Sequence, residues 1–164
     1  SKWKRISPQS FKPTAKGVGG YMNSTLAKVD AVENGYDDAI MLGDNDVVAE
    51  GSGQNLFLIK NGKIFTPPIE TGALGGITRK TVIEIASKLG LETEEININA
   101  NQLKDADELF FTGTATEVVG VVSVDGEDIS NGNPGQITGD IRKKYLEIVN
   151  GENEDFLHYL TLVK

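Results

Sequence analysis

The chain has 164 residues, of which 38% are hydrophobic, enough for one domain with its own core. It has no cysteine and one histidine, His158, which excludes disulfides, thiolate catalysis and a multi-histidine metal site within the chain, so no metal is expected. The formal net charge of −8 repels phosphate backbones and no local basic face offsets it, so no nucleic-acid partner is expected. No apolar run is long enough to cross a bilayer and the first residues lead into no signal-like segment, so no membrane association and a cytoplasmic location are expected.

Residues 1 to 13 carry Trp3 and Ile6 among basic and polar residues, with Pro8 and Pro13 opposing a helix, and read as an incoming strand and a loop. The abrupt start suggests a piece of something longer. Thr14 to Ser24 follows, with Lys16 ahead of Gly17, Gly19, Gly20 and Tyr21. A lysine beside such a flexible bend, at the edge of a partly dry pocket, can act as a neutral amine on a carbonyl, although most lysines of this kind are plain loop residues. Met22 to Asn34 has helical spacing and stops at Gly35.

The period then changes. Ala39 to Leu42, Val47 to Ala49, Leu56 to Ile59 and Ile64–Phe65 read as short strands. Gly43 to Asp46 and Asn61–Gly62 mark hairpin turns, the second of type I′. A calcium loop starting at Asp44 fails, because Val48 stands where an oxygen ligand is needed. A second glycine-rich stretch, Gly72 to Arg79, opens a helix over Thr81 to Leu89. Beyond it come a strand from Leu91 to Ile98, a short helix from Ala100 to Asp105, and a buried strand from Glu108 to Thr112. A hairpin from Val118 to Ile129 and a closing helix from Gln136 to Val149 complete the chain. Strands and helices alternate irregularly, so the expected fold is one α/β domain: a mixed sheet or pseudo-barrel with helices packed outside.

Neither the dinucleotide nor the P-loop fingerprint is present, since Leu56 stands where the third glycine would be and no glycine leads into Lys and Ser or Thr. Gly75, Gly76, Ile77 and Thr78 run directly into a helix, whose first N–H groups can hold a phosphate. Gly113-Thr114-Ala115-Thr116 at a strand end can offer further donors to an anion. Glu50, ahead of Gly51-Ser52-Gly53, is a carboxylate that could pair with the nitrogen of a pyridine ring. Each of these alone has an ordinary reading as a capped helix, a turn or a solvated acid.

Taken together, an amine, a ring-nitrogen acid and two phosphate-holding turns are the parts of a pyridoxal phosphate site. The sequence resembles the fold-type IV, class IV aminotransferases, and within them the branched-chain amino acid aminotransferases of amino-acid biosynthesis. The resemblance runs in order through Trp3 to Ile6, Ala15-Lys16, Tyr21 to Ser24, Leu26 to Lys28, Glu50 to Phe57, Phe65 to Pro68, Leu74 to Arg79 and Gly113 to Glu117. It implies that Lys16 is joined to the cofactor and moves the substrate proton, that Tyr21 bonds the cofactor's phenolic oxygen, that Glu50 pairs with the pyridine nitrogen, and that Leu74 packs on the ring. Gly76, Ile77, Thr78 and Thr114 would hold the phosphate, and Thr114 and Ala115 the substrate carboxylate. Asn55 would support its loop. Gly20 departs from the asparagine usual in the family.

The resemblance further implies amino acid and 2-oxo acid substrates, 2-oxoglutarate as amino acceptor, and assembly as a homo-oligomer. It also implies an additional N-terminal domain, absent from this chain, so the 164 residues are expected to be the C-terminal cofactor domain, with impaired activity alone. D-amino acid aminotransferase and aminodeoxychorismate lyase are the alternatives within the family, and a non-catalytic folding or assembly domain is the alternative outside it.

Overall fold

The computed structural model describes residues 1–161 and 163. Its centre is a five-stranded sheet in which β5 (Thr93–Glu95), β4 (Lys63–Thr66), β3 (Asn55–Lys60), β6 (Glu108–Gly113) and β7 (Glu117–Val121) lie side by side in that order. All neighbours are antiparallel except β4 and β5, so the sheet is mixed, as the irregular alternation implied. Two-stranded ribbons, β1 (Ile40–Leu42) with β2 (Val48–Gly51) and β8 (Ser123–Val124) with β9 (Glu127–Asp128), complete the strands. The helices are α1 (Val18–Glu33), α2 (Ile77–Lys88), α3 (Ala100–Lys104) and α4 (Gln136–Val149). Among the described residues no helix is long and apolar enough to cross a membrane.

Strand alternation explains why β3 reads as an almost unbroken apolar run: both of its faces are covered. Phe57 and Ile59 face one way and pack with Phe110, with Val82 and Ile85 of α2, and with Ile141, Tyr145 and Ile148 of α4. Phe57 and Phe110 are paired across the ladder and their rings stack 4.9 Å apart. Leu56 and Leu58 face the other way, against Val48, Leu103, Leu109 and Phe111. The Phe57 face continues at the strand end with Asn55, whose ladder partner is Thr112. Two polar residues therefore stand on the sheet where α2 begins.

The Asn61–Gly62 turn has positive φ at both residues, 51° and 74°, as a type I′ turn requires. The closing helix has the bounds expected from its spacing. Three expectations are corrected. Residues 1–13 form no strand; they run beside β1 through an Arg5 N–H bond to the Leu42 carbonyl and then turn at Pro8. The helix expected from Met22 starts at Val18 instead, because Gly17 and Gly20 let the chain pass against the Phe11 ring, which an added Cβ at either would meet at 2.9 Å. The strand expected over Leu91 to Ile98 is confined to Thr93–Glu95, the part that pairs with β4.

Candidate functional site

A cleft of about 220 Å³ opens where α1, the β2–β3 turn, the loop into α2 and the end of β6 converge. Its acid is Glu50, on β2 opposite Met41 and 4% exposed. Oε1 of Glu50 lies 2.8 Å from Nη2 of Arg5, and Oε2 accepts from Asn55 Nδ2 at 3.0 Å and from the Leu74 N–H at 2.9 Å. Burial raises the Glu50 pKa above its ordinary value, while Arg5, the Leu74 N–H and Arg79 pull it back without cancelling the rise. Asn55 Nδ2 also donates to the Leu74 carbonyl at 2.7 Å. Glu50 and Asn55 thus clamp the Leu74 backbone from both sides.

The anion-holding part of the cleft is the start of α2. Gly76 precedes it in extended backbone, no side chain caps it, and its first turn has no acidic residue. The first N–H groups of a helix have no partner within it, so they and the helix dipole can receive an anion. Gly76, Ile77 and Thr78 all line the cleft. At Gly76 a Cβ would stand 2.2 Å from Asn55 Oδ1, so only glycine lets the loop into α2 lie this close to the residue that anchors Glu50. Thr112, Gly113 and Thr114 line the cleft as well. Thr112 is fully buried and its hydroxyl has no partner among the described residues, an unspent donor in the cleft lining.

Lys16 and Tyr21 also line the cleft. Lys16 has a left-handed backbone, φ 47°, and its N–H closes a 3-10 turn on the Pro13 carbonyl. Tyr21 lies in the first turn of α1. Lys16 is exposed and, among the described residues, has no ion-pair partner. The partly dry setting expected for it is therefore not what this chain builds around it.

One cleft thus gathers Lys16, Tyr21, Glu50, Leu74, Gly76, Ile77, Thr78 and Thr114. Ala115 is exposed in the tight turn between β6 and β7 and does not line it. His158 does not line it either and stands 3.9 Å from Glu84. Arg5 escaped notice because a basic residue in an irregular segment looks like a solvated one, and only the path of that segment beside β1 delivers it to Glu50. Thr112 was missed as one polar residue at the end of an apolar strand. Among the described residues no cluster of His, Asp and Glu suited to a metal is present.

Comparison with known proteins follows the same outline. The model of the amino-transferase class IV family matches residues 1–124. The probable branched-chain-amino-acid aminotransferase of Aquifex aeolicus is 44% identical over 164 residues, 99% of this chain and 53% of its own length. The branched-chain-amino-acid aminotransferase of Pseudomonas aeruginosa is 44% identical over 150 residues, 92% of this chain and 48% of its own length. The crystal structure of a T.th. branched-chain amino acid aminotransferase complexed with N-(5'-phosphopyridoxyl)-L-glutamate superposes with a TM-score of 0.97 at 41% identity, covering 100% of this chain and 55% of that one. That of the branched-chain aminotransferase from Thermoproteus uzoniensis with norvaline superposes with a TM-score of 0.94 at 43% identity, covering 98% and 53%. The chain spans about half the length of these relatives.

Proposed function

The chain belongs to the class IV aminotransferases, and from that premise we propose that its cleft is the pyridoxal phosphate site of a branched-chain amino acid aminotransferase. The observation that carries this reading is the convergence of an amine, a phenol, a buried carboxylate and an uncapped helix start on one cleft. The donor set fits the cofactor. Gly76, Ile77, Thr78 and Thr114 suit its phosphate, Glu50 its ring nitrogen, Leu74 a ring face, Tyr21 its phenolic oxygen and Lys16 its aldehyde, and the Thr112 hydroxyl, without a partner among the described residues, leaves one donor to spare.

When bound, the cofactor supplies an electron sink that lets an amino acid lose its Cα proton. The residues of the chain do the rest. Glu50, fixed by Arg5, Asn55 and Leu74, keeps a negative charge where a protonated pyridine nitrogen would need one. Lys16 Nζ would take the proton from the substrate Cα as base and give it up as acid at C4′ of the cofactor, moving it from one carbon to the other. Donors of the Thr114–Ala115 turn receive the substrate carboxylate. The accompanying substrates are a branched-chain L-amino acid and an oxo acid acceptor, for which 2-oxoglutarate is the candidate.

The chain works as the cofactor-holding domain of a larger, two-domain enzyme that assembles as a homo-oligomer in the cytoplasm. The reading is supported by the share of its relatives that it spans. Apolar side chains left open beside the cleft also support it: Val18 is 88% exposed, Met22 70% and Ile77 76%. Much of the substrate pocket then belongs to the other domain, and the isolated chain turns over poorly. D-amino acid aminotransferase and aminodeoxychorismate lyase chemistry would use the same lysine, glutamate and phosphate turn. The names of the matched relatives favour the branched-chain assignment.

Borohydride reduction of the chain mixed with pyridoxal phosphate, followed by peptide mapping, tests the reading. A phosphopyridoxyl mass on the peptide containing Lys16 is expected. Label scattered over surface lysines, or none in a folded sample, would reject the enzyme reading in favour of a non-catalytic module.

A further inference from the structure

Asp38 joins three elements that meet at the cleft without lining it itself. Its Oδ1 accepts from Ser52 Oγ at 2.5 Å and from the Ala39 N–H at 2.7 Å, and its Oδ2 accepts from Gln54 Nε2 at 2.9 Å and from Lys28 Nζ at 2.9 Å. Lys28 belongs to α1, the helix that follows Lys16 and carries Tyr21. Ser52 and Gln54 belong to the turn between Glu50 and Asn55, and both line the cleft. The turn is closed by the Gly51 N–H on the Gln54 carbonyl at 2.7 Å and by the Gly53 N–H on Gln54 Oε1 at 3.0 Å. With Nε2 held by Asp38 and Oε1 by Gly53, the Gln54 amide has both ends engaged. Its stem in turn backs onto Gly113, where an added Cβ would touch the Gly53 carbonyl at 3.6 Å and Gln54 Cγ at 3.8 Å. Gly113 leads directly into Thr114 and Ala115.

We propose that Asp38 is a positioning residue for the acid-binding side of the cleft, acting through Gln54 on the Gly113–Ala115 turn that receives the substrate carboxylate. The contacts alone carry the coupling, and its functional meaning rests on the site assignment above. The α2 start, which meets the phosphate, has no hydrogen bond to this network. The coupling is therefore local. A carboxylate is required because four N–H and O–H donors converge on its two oxygens, a set that an amide NH₂ cannot accept.

Backbone amide exchange on the whole chain without cofactor tests the coupling independently of the site assignment. In Asp38→Asn, exchange over Gly51–Gln54 and Gly113–Ala115 should accelerate about ten-fold, the scale of a lost charged hydrogen bond, with Ile77 and Thr78 unmoved. Gln54→Leu, at a half-buried turn position where a folding failure is not expected, should accelerate Gly113–Ala115 equally, and the double variant should go no further than either single one. Asp38→Glu, which keeps both oxygens, should restore protection. In the cofactor-loaded chain, 4-methylvaleric acid, used as a carboxylate probe, should bind about ten-fold more weakly in Asp38→Asn with cofactor retention unchanged. Unaltered exchange at Gly113–Ala115, acceleration spread evenly over the chain, additive variants, or equal loss of cofactor and probe would each overturn the proposal. Failure of the wild-type chain to take up cofactor would instead count against the site assignment, and the exchange results would still decide the role of Asp38.

Discussion

Nη2 of Arg5 and Oε1 of Glu50 face each other at 2.8 Å, joining an irregular first segment to the middle of a buried ribbon. Arg5 also donates from Nε to the Gly72 carbonyl at 3.3 Å and from Nη1 to Ser24 Oγ at 2.6 Å. One guanidinium therefore ties α1, the loop ahead of α2 and the cleft acid together, a use of its fixed fork of donors that lysine could not copy.

Replacing Arg5 by Leu leaves Glu50 buried beside an apolar group with only two N–H donors. Breaking a largely buried pair on one side costs about 3 kcal/mol, and the Glu50 pKa should climb further above its ordinary value. Urea unfolding measures the first, and the pH dependence of cofactor binding the second. An unchanged midpoint would mean that the pair contributes nothing to the fold.

Gly76→Ala tests the close approach between the α2 entry and Asn55. With 2.2 Å between an added Cβ and Asn55 Oδ1, the loop or the asparagine must move, at a cost of about 1–3 kcal/mol. The Glu50 clamp moves with it. Pyridoxal phosphate affinity should fall at least as strongly as stability, as a titration followed by absorbance would register.

Asp38 and Glu50 should respond to acid with opposite signs. Burial alone would raise the Asp38 pKa, but hydrogen bonds from Ser52, Lys28, Gln54 and Ala39 hold it below the ordinary 3.8. A depressed acid contributes stability that is present above the unfolded value and is lost as pH falls through the folded one. The stability gap between wild type and Asp38→Asn should therefore be complete above about pH 4 and close below it. Glu50, raised above 4.5, binds its proton more readily when folded, so its contribution is lost as pH rises. Stability of wild type, Asp38→Asn and Glu50→Gln between acid and neutral pH would separate the two.

Glu108 substitutes for an N-cap at α4. Its Oε1 accepts from the Ile137 N–H at 3.0 Å, and its Oε2 accepts from the Thr138 N–H at 2.8 Å and the Thr138 hydroxyl at 2.6 Å. Gly135 is required beside it, because a Cβ there would overlap the Glu108 carboxyl carbon at 1.9 Å. Glu108→Ala should cost about 1–2 kcal/mol, read by thermal unfolding, and should leave cofactor binding unchanged, since neither Glu108 nor any residue of α4 lines the cleft.

Much of this architecture could be read from residue order. Short apolar runs placed β3 and β6, the apolar spacing of Ile137, Ile141, Tyr145 and Ile148 gave α4, and the glycine-rich entry before Ile77 marked the helix start of α2 that faces the cleft. The gathered residues were legible because each sits in a short run with its own local chemistry. What was hidden depends on distance in sequence. Arg5 matters only through Glu50, Asp38 only through Ser52 and Gln54, and Glu108 only through a helix N-terminus far along the chain. The glycines before Tyr21 were read as a flexible bend ahead of the helix, whereas Gly17 caps α1 and Gly20 lies in its first turn, where the Phe11 ring fills the space their missing side chains leave.

All of this turns on a single cleft binding the cofactor with its aldehyde at Lys16, its ring nitrogen at Glu50 and its phosphate at the start of α2. A crystal structure of the chain grown with pyridoxal phosphate measures this most directly. Density continuous with Lys16 Nζ is expected, with the ring nitrogen beside Glu50 and the phosphate over the N–H groups of Ile77 and Thr78. A phosphate seated elsewhere, or a ring bound with Glu50 still facing only Arg5, Asn55 and Leu74, would contradict it.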